Sequence, residues 1–154
     1  MRRPWVLAFV VLAVACALPG ASPRAADSPH VVGPDPISIG RFLVNYGGCN
    51  DCHTPHWDER HLAIPESRRL TGNPEGFTGP WGTSYAANLR LVIAGLSEDQ
   101  WLALVRNHRN VGHPPMPWWN VQVLGLNEQR AIYAYIHSLG PAGKPAPAYQ
   151  PPQH

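Results

Sequence analysis

The run Cys49-Asn50-Asp51-Cys52-His53 constrains this chain more than any other feature of its sequence. Two thiols three positions apart can each bond to one vinyl group of a porphyrin. The imidazole that follows is then placed over the central metal as a ligand. Cys-x-x-Cys-His is accordingly the attachment pattern of c-type haem. The sequence therefore predicts one covalent haem c held by Cys49 and Cys52, with His53 as the proximal iron ligand.

The N-terminus has the organisation of a removable export signal. Arg2 and Arg3 form a short basic region, and residues 5–18 are an unbroken apolar run of 14 residues. A helix of that length spans about 21 Å, less than the roughly 30 Å of bilayer hydrocarbon, so a signal peptide is favoured over a membrane span. We therefore predict residues 1–26 as a signal peptide and export to the bacterial periplasm.

The cleavage point within this leader has several alternatives. Cys16 and its two alanine neighbours fit a small-x-small site, and later cuts near Ala21 or Ala26 also fit. The five residues that end at Cys16 are weakly similar to a bacterial lipoprotein box, which would leave a lipidated and membrane-tethered N-terminus. Otherwise Cys16 is discarded with the apolar segment.

Three other kinds of site use cysteines spaced in this way. A thioredoxin-like redox pair requires the strand and helix of a βαβ unit, and no strand signal surrounds Cys49. A zinc site requires a second Cys/His pair with its own local spacing, which His56 and His61 do not form. A structural disulfide between Cys49 and Cys52 is the third alternative. The export signal together with the complete motif favours haem.

Beyond the leader, the chain is expected to form one small domain, residues 37–140. A linker, residues 27–36, precedes it, and a Pro-rich disordered tail, residues 141–154, follows it. A core of about 100 residues is small, and a buried cofactor at its centre would help to stabilise it. The 18 prolines and 14 glycines favour irregular segments between short helices. The predicted fold class is all-α, with three to four short helices and long loops wrapped around the haem.

Apolar residues at three- and four-residue steps predict three helices. The first covers residues 37–45 and runs into Gly47-Gly48. The second has Ser97 as its N-cap with Gln100 as capping-box partner, and it ends near Asn107. The third begins at Asn127 and stops at Gly140-Pro141. The long stretches 54–81 and 111–123 are expected to be loops, which at that length are usually functional.

The charge balance excludes one class of partner. The chain has 12 basic and 10 acidic residues, but Arg2, Arg3 and Arg24 lie in or near the leader. The remaining chain therefore carries a net charge of about −1. Nucleic-acid binding is normally marked by a clustered basic face, so no nucleic-acid partner is expected.

These features together resemble a class I cytochrome c domain, over roughly residues 38–139. The likeness rests on the motif with its flanking Gly-Gly and Thr-Pro, the stretch 78–89, the run 114–118 and the C-terminal helix. The chain is more closely similar to small bacterial cytochromes related to the haem subunits of membrane-bound dehydrogenases. One departure is visible at residues 90–96, where such domains often continue with a longer acidic, glycine-bearing turn.

The resemblance implies that Met116 is the distal iron ligand, because this fold usually supplies its sixth ligand from the loop before the last helix. Met116 is the only methionine expected in the mature chain, and Pro115 and Pro117 stiffen its loop. The alternatives are a Met that fills a gap in the core, or bis-histidine ligation. His108 and His113 are the main histidine candidates, and the weaker ones are His56, His61 and His137.

Further contacts are expected around the haem. Partly buried propionates need hydrogen-bond donors or a cation, and four residues could supply them: Trp81, Tyr85, Asn88 and Arg90. For the aromatic residues the alternative is ordinary core packing. The resemblance also suggests that a backbone carbonyl near Gly79-Pro80 accepts a hydrogen bond from the other ring nitrogen of His53. It further places Gly40, with Tyr133 or Tyr135, at the crossing of the first and last helices.

The expected function is electron transfer by a protein that is not itself an enzyme. Ligation by His53 and Met116 favours reduced iron and leaves no coordination position for a substrate. The expected partners are redox proteins: a dehydrogenase, an oxidase or another cytochrome. The alternative is a haem enzyme or gas-binding sensor with an open or labile sixth position, which would need an acid/base residue over the distal face.

Overall fold

The computed structural model describes residues 31–108 and 115–153, and about half of these residues are helical. The α-helices are α1 Pro36–Tyr46, α2 Cys49–His53, α3 Trp57–Arg60, α4 Leu89–Ala94, α5 Glu98–Asn107, α6 Trp118–Gln122 and α7 Leu126–Ser138. Two 3-10 turns cover His61–Ala63 and Glu66–Arg68. The domain is mostly α, but the all-α prediction is wrong in one respect. Strands β1 Gly76–Gly79 and β2 Gly82–Tyr85 form an antiparallel hairpin.

The predicted helices are confirmed in position, because their ends are determined by local hydrogen bonds. Asp35 caps α1 by accepting from the backbone N–H of Ser38 at 2.9 Å. Ser97 and Gln100 form the reciprocal capping box of α5, which ends at Asn107. Helix α7 begins one residue before the predicted Asn127. Helices α3 and α6 fall in the two stretches that were expected to be loops, and α4 falls in a stretch to which no helix was assigned. Each of the three is too short to show a clear apolar period.

Helices α1 and α7 cross in close contact, and Gly40 lies at the crossing. A Cβ atom on Gly40 would overlap the carbonyl oxygen of Ala131 and lie 2.7 Å from Cβ of Tyr135. Only glycine permits this approach of the two backbones. The prediction that Gly40 and Tyr135 mark the crossing is confirmed. The core packs around it, with α4 and α5 against α7, and its most buried members include Val44, Leu70, Ile93, Val105 and Ile136.

A polar group also joins the two helices at their crossing. The Glu66 carboxylate accepts from Arg41 Nε at 2.8 Å and from the Tyr135 hydroxyl at 3.1 Å. Burial and the neighbouring Glu66 raise the pKa of Tyr135 to about 12, so the phenol stays protonated and donates at neutral pH.

Residues 141–153 form an ordered segment, which we call the C-terminal strap. Backbone bonds of 2.8 and 2.9 Å join Thr83 on β2 to Gln150, and the Tyr149 hydroxyl donates to the Trp81 carbonyl. The expectation of a disordered tail is therefore wrong. Proline removes a backbone donor but not the carbonyl acceptor, and the strap is held largely through carbonyls that accept.

The predicted leader with Cys16 and residues 27–30 of the predicted linker lie outside the described residues. Within residues 31–108 and 115–153, none of the helices has the length and apolar character needed to cross a bilayer.

Candidate functional site

The three residues of the motif lie together on the single short helix α2. The chain enters α2 from α1 through Gly48, whose φ of +70° is a left-handed conformation that glycine adopts without strain. Its carbonyl accepts from the N–H of Asp51 at 3.1 Å, which starts the helical turn. The helix therefore holds Cys49, Cys52 and His53 in a fixed spatial relation directly after α1.

Both cysteines are half-buried and free, with no disulfide between them. Burial raises the pKa of the Cys49 thiol to about 11, and burial also raises that of Cys52. Cys49 packs against the hydrophobic core. Two protonated thiols on one helix face remain available for covalent attachment.

His53 is buried, and its Nδ1 lies 2.7 Å from the carbonyl oxygen of Ala87. A carbonyl can only accept, so this bond requires the proton on Nδ1 and leaves a lone pair on Nε2. Burial lowers the pKa of His53, with the Ala87 carbonyl acting in the opposite direction. The ring is thus neutral, oriented and able to ligate a metal through Nε2. The expectation of a carbonyl near Gly79-Pro80 is wrong, because the chain brings the segment before α4 to His53 instead.

A series of connected hydrogen bonds, most of them buried, holds α2 to the neighbouring segments. Asn50 donates to Asn45 Oδ1 at 2.9 Å and accepts from the Thr54 hydroxyl at 2.8 Å. Thr54 Oγ1 in turn accepts from the N–H of Leu70 at 2.9 Å. The carbonyl of His53 accepts from Gly72 N at 2.9 Å. Sequence reasoning missed Asn50 and Thr54, although a polar residue buried inside the motif would have needed such partners.

Met116 lies just before α6 and is half-buried. Its carbonyl accepts from the N–H of Trp118 at 3.0 Å. The ring of His108 stacks on Trp118 with centroids 3.9 Å apart, and Gln122 donates to the His108 carbonyl at 2.8 Å. In the described part of the chain, α6 packs on α5, whereas α2 packs on α1 and α3. His113 lies outside the described residues.

The four predicted haem contacts have other partners in the structure. Asn88 and Arg90 are buried and donate to backbone carbonyls near the C-terminus, so neither is placed as a donor for propionates. Both side chains are thus engaged with the protein's own backbone. Trp81 Nε1 donates weakly to Phe77 within the hairpin, at 3.4 Å. The ring of Tyr85 lies against Gly76 on the paired strand.

The remaining described histidines have surface roles. His56 lies 3.8 Å from the Glu59 carboxylate, His61 packs edge-on against Trp57, and His137 stacks on Tyr133. Across residues 31–108 and 115–153, no group of three or more His, Cys, Asp or Glu side chains is arranged to hold a metal ion. These histidines therefore give α2 no partner for a zinc site.

An open cleft of about 470 Å³ lies between α5, α6 and α7. The cleft is lined by Val105, Arg106, Gln122, Leu124, Gly125, Leu126 and Gln129. None of these is a predicted site residue. The chemistry of α2 is therefore separate from this cleft.

Comparison with known proteins gives one informative match. The chain is 29% identical over 149 residues to a nicotinate dehydrogenase subunit from Pseudomonas putida. The chain is thus similar to part of a dehydrogenase. The match covers 89% of this chain but 12% of that relative, so the chain spans about an eighth of its length. No protein-family profile matches the chain, and no solved structure matches it.

Proposed function

We propose that this chain carries one covalent haem c on α2 and transfers single electrons for a dehydrogenase outside the cytoplasm. The observation that carries the proposal is the state of His53. The Ala87 carbonyl, at 2.7 Å from Nδ1, fixes the tautomer that presents Nε2 for ligation. His53 directly follows Cys52, and Cys49 and Cys52 are both free.

The residues present fit the group. The Cys49 and Cys52 thiols would form the two thioether bonds, and His53 would ligate through Nε2. Met116, half-buried between Pro115 and Pro117, would supply a soft thioether as the second axial ligand. When bound, haem supplies an iron centre that accepts and releases one electron at a time. Helix α2 and its hydrogen bonds would keep His53 in one orientation for ligation.

The competing uses of two cysteines have less support. The sheet in the described residues is one antiparallel hairpin, and no βαβ unit surrounds α2 as a thioredoxin-like pair requires. A zinc site lacks its second pair of ligands among the described residues. A Cys49–Cys52 disulfide is absent from the structure. Haem attachment alone uses both thiols together with an oriented His53.

The similarity to part of a dehydrogenase supports a role for this chain in electron transfer. A chain that carries electrons for a dehydrogenase needs no substrate position of its own, and ligands on both sides of the iron would leave none. The chain would thus accept electrons from a dehydrogenase and pass them to a further redox protein, such as an oxidase or another cytochrome. Its activity is electron transfer between proteins.

Haem attachment is tested by denaturing electrophoresis with a stain for haem peroxidase activity. From cells competent in cytochrome maturation, the wild-type band should stain, and the double variant Cys49→Ala/Cys52→Ala should be colourless because both bonding sulfurs are gone. Asp51→Asn is the matched control, since it alters the same helix at an exposed position without touching a thiol. A colourless wild-type band would contradict the proposed function.

Export is tested by mass spectrometry of the mature N-terminus. The apolar run of 14 residues is too short to span a bilayer, so the leader should be absent and the chain should begin between residues 16 and 27. A lipidated Cys16 would identify the tethered form. A mature protein that retains Met1 and the whole apolar segment would contradict cleavage.

A further inference from the structure

The C-terminal strap lies against the segment that orients His53. Asn88 follows Ala87 directly, and its side-chain amide donates to the carbonyls of Ala142 at 2.7 Å and Lys144 at 3.1 Å. Its Oδ1 accepts from the N–H of Leu91 at 3.1 Å and caps α4. These three partners agree on one orientation of the amide, because two are carbonyls that need donors and one is an N–H that needs an acceptor.

A second contact fixes the same segment from the other side. Gly72, whose N–H donates to the His53 carbonyl, is so close to residues 86–88 that a Cβ there would lie 2.9 Å from Asn88 N. The N–H of Asn73 donates to the Ala86 carbonyl at 3.1 Å. The peptide of Ala87 is therefore held between the turn at Gly72 and the side chain of Asn88.

Arg90 strengthens the attachment just before the strap. Its Nε donates to Gly140 at 2.6 Å, its Nη1 to Ser67 at 2.6 Å, and its Nη2 to Leu139. Arg90 is buried, and hydrogen bonds donated by a charged group are stronger than neutral ones. The start of α4 is thereby joined to the end of α7, from which the strap continues.

We propose that the C-terminal strap, acting through Asn88, is a positioning element for His53: it fixes the Ala87 carbonyl that holds the imidazole in its ligating orientation. Asn88 is a positioning residue, since it touches neither the ring nor the predicted haem attachment atoms. The predicted effect on the iron potential rests on the proposed function. The positioning of His53 does not, because the bond from His53 Nδ1 to the Ala87 carbonyl is made within the protein chain.

The physical consequence concerns the electron donation of the imidazole. A firm bond from Nδ1–H to a carbonyl raises the basicity of the ligating nitrogen, which favours the oxidised metal. If the strap is loosened, the Ala87 carbonyl can move away, the basicity of His53 falls, and the midpoint potential shifts to a more positive value. The Nδ1 proton also exchanges faster with solvent, because its acceptor is less often in place.

Two variants loosen the strap from opposite sides. Asn88→Ser keeps a side-chain oxygen that can cap α4 but removes both amide donors to the strap. Gly143→Ala leaves Asn88 intact but places a Cβ 3.0 Å from Asn88 Nδ2 and 3.1 Å from Cβ of Thr71, at a φ of +75°. Gly140→Ala is the matched control. It has a similar φ of +69°, and its Cβ would meet nothing within 4 Å.

The experiment uses the full-length protein and measures the midpoint potential and, by NMR, the exchange of the His53 Nδ1 proton. Asn88→Ser and Gly143→Ala should both shift the potential upward and speed exchange about tenfold, the factor that roughly one lost hydrogen bond gives. Gly140→Ala should behave as wild type. Folded Asn88→Ser and Gly143→Ala proteins with wild-type potential and exchange would overturn the proposal, as would an equal change in Gly140→Ala.

The haem stain of the wild type separates this proposal from the proposed function. A wild type without covalent haem contradicts the proposed function, whereas proton exchange at His53 is measured without haem and decides the role of the strap. Variants that carry haem but show unchanged proton exchange would contradict the role of the strap and leave the proposed function intact. Should Asn88→Ser fail to fold, Gly143→Ala gives the same readouts with the α4 cap intact.

Discussion

The substitution Gly40→Ala is expected to cost at least about 3 kcal/mol of folding free energy, among the larger penalties for overpacking a core. The added methyl group would overlap the Ala131 carbonyl oxygen and lie 2.6 Å from its carbon, so the neighbour in conflict is backbone that cannot rotate away. Helices α1 and α7 must then separate, which opens the packing around Val44 and Ile136. The melting temperature should fall by roughly 10 °C or more.

Gly95→Ala is the control for this prediction. Gly95 follows α4 with φ −92°, and its Cβ would lie 3.6 Å from the carbonyl oxygens of Leu91 and Val92. The substitution should be neutral or slightly stabilising, because alanine restricts the unfolded chain without a clash in the folded one. Thermal unfolding followed by circular dichroism measures both variants. Equal melting temperatures for Gly40→Ala and wild type would show that α1 and α7 do not cross as the structure has them.

Replacement of Met116 is expected to have the largest effect on redox behaviour. A thioether favours reduced iron, so Met116→Ala should lower the midpoint potential by on the order of 100 mV and open a coordination position to exogenous ligands. Oxidised wild type should show the weak near-infrared charge-transfer band of thioether ligation, and the variant should lack it. Potentiometry and absorption spectroscopy together measure these changes.

Met116→Leu separates ligation from packing. Leucine fills a similar volume but has no sulfur, so a packing role predicts wild-type behaviour and a ligand role predicts the same loss as alanine. If the oxidised wild type lacks the band and neither variant changes the potential, Met116 is not the ligand. Ligation by His108 or His113, or a haem enzyme or sensor with an open position, would then be favoured.

The parts of the fold that depend on neighbouring residues were predictable from the sequence. The capping box of Ser97 and Gln100 specifies the start of α5 within four residues, and Gly47-Gly48 marks the end of α1. The motif on α2 was recognisable because its two thiols and its imidazole lie within five consecutive residues. Gly40 was predictable because the resemblance placed it at the crossing, and a glycine inside an apolar helix needs such a reason.

The parts that depend on distant contacts were not predictable. The acceptor for His53 is Ala87, 34 residues away, and nothing in alanine distinguishes its carbonyl from any other. Arg90 was expected to face propionates because a partly buried carboxylate needs donors or a cation beside it, but Arg90 donates to carbonyls at the end of α7 instead. Proline content suggested disorder in the strap, whereas Asn88 and β2 bind its backbone. Composition describes what a segment can do alone, and these contacts are made with partners far along the chain.

The pairing of α1 with α7 also determines when the domain can fold during its synthesis. The partner of α1 is almost the last element to be made, and the N–H of Val31 just before α1 bonds to Glu128, 97 residues later. A nascent chain that ends before residue 126 lacks α7, the element against which α1 makes most of its contacts. The cysteines of α2 follow α1 directly, and Cys49 packs against the same core. We therefore expect both thiols to become half-buried only after α7 has been made.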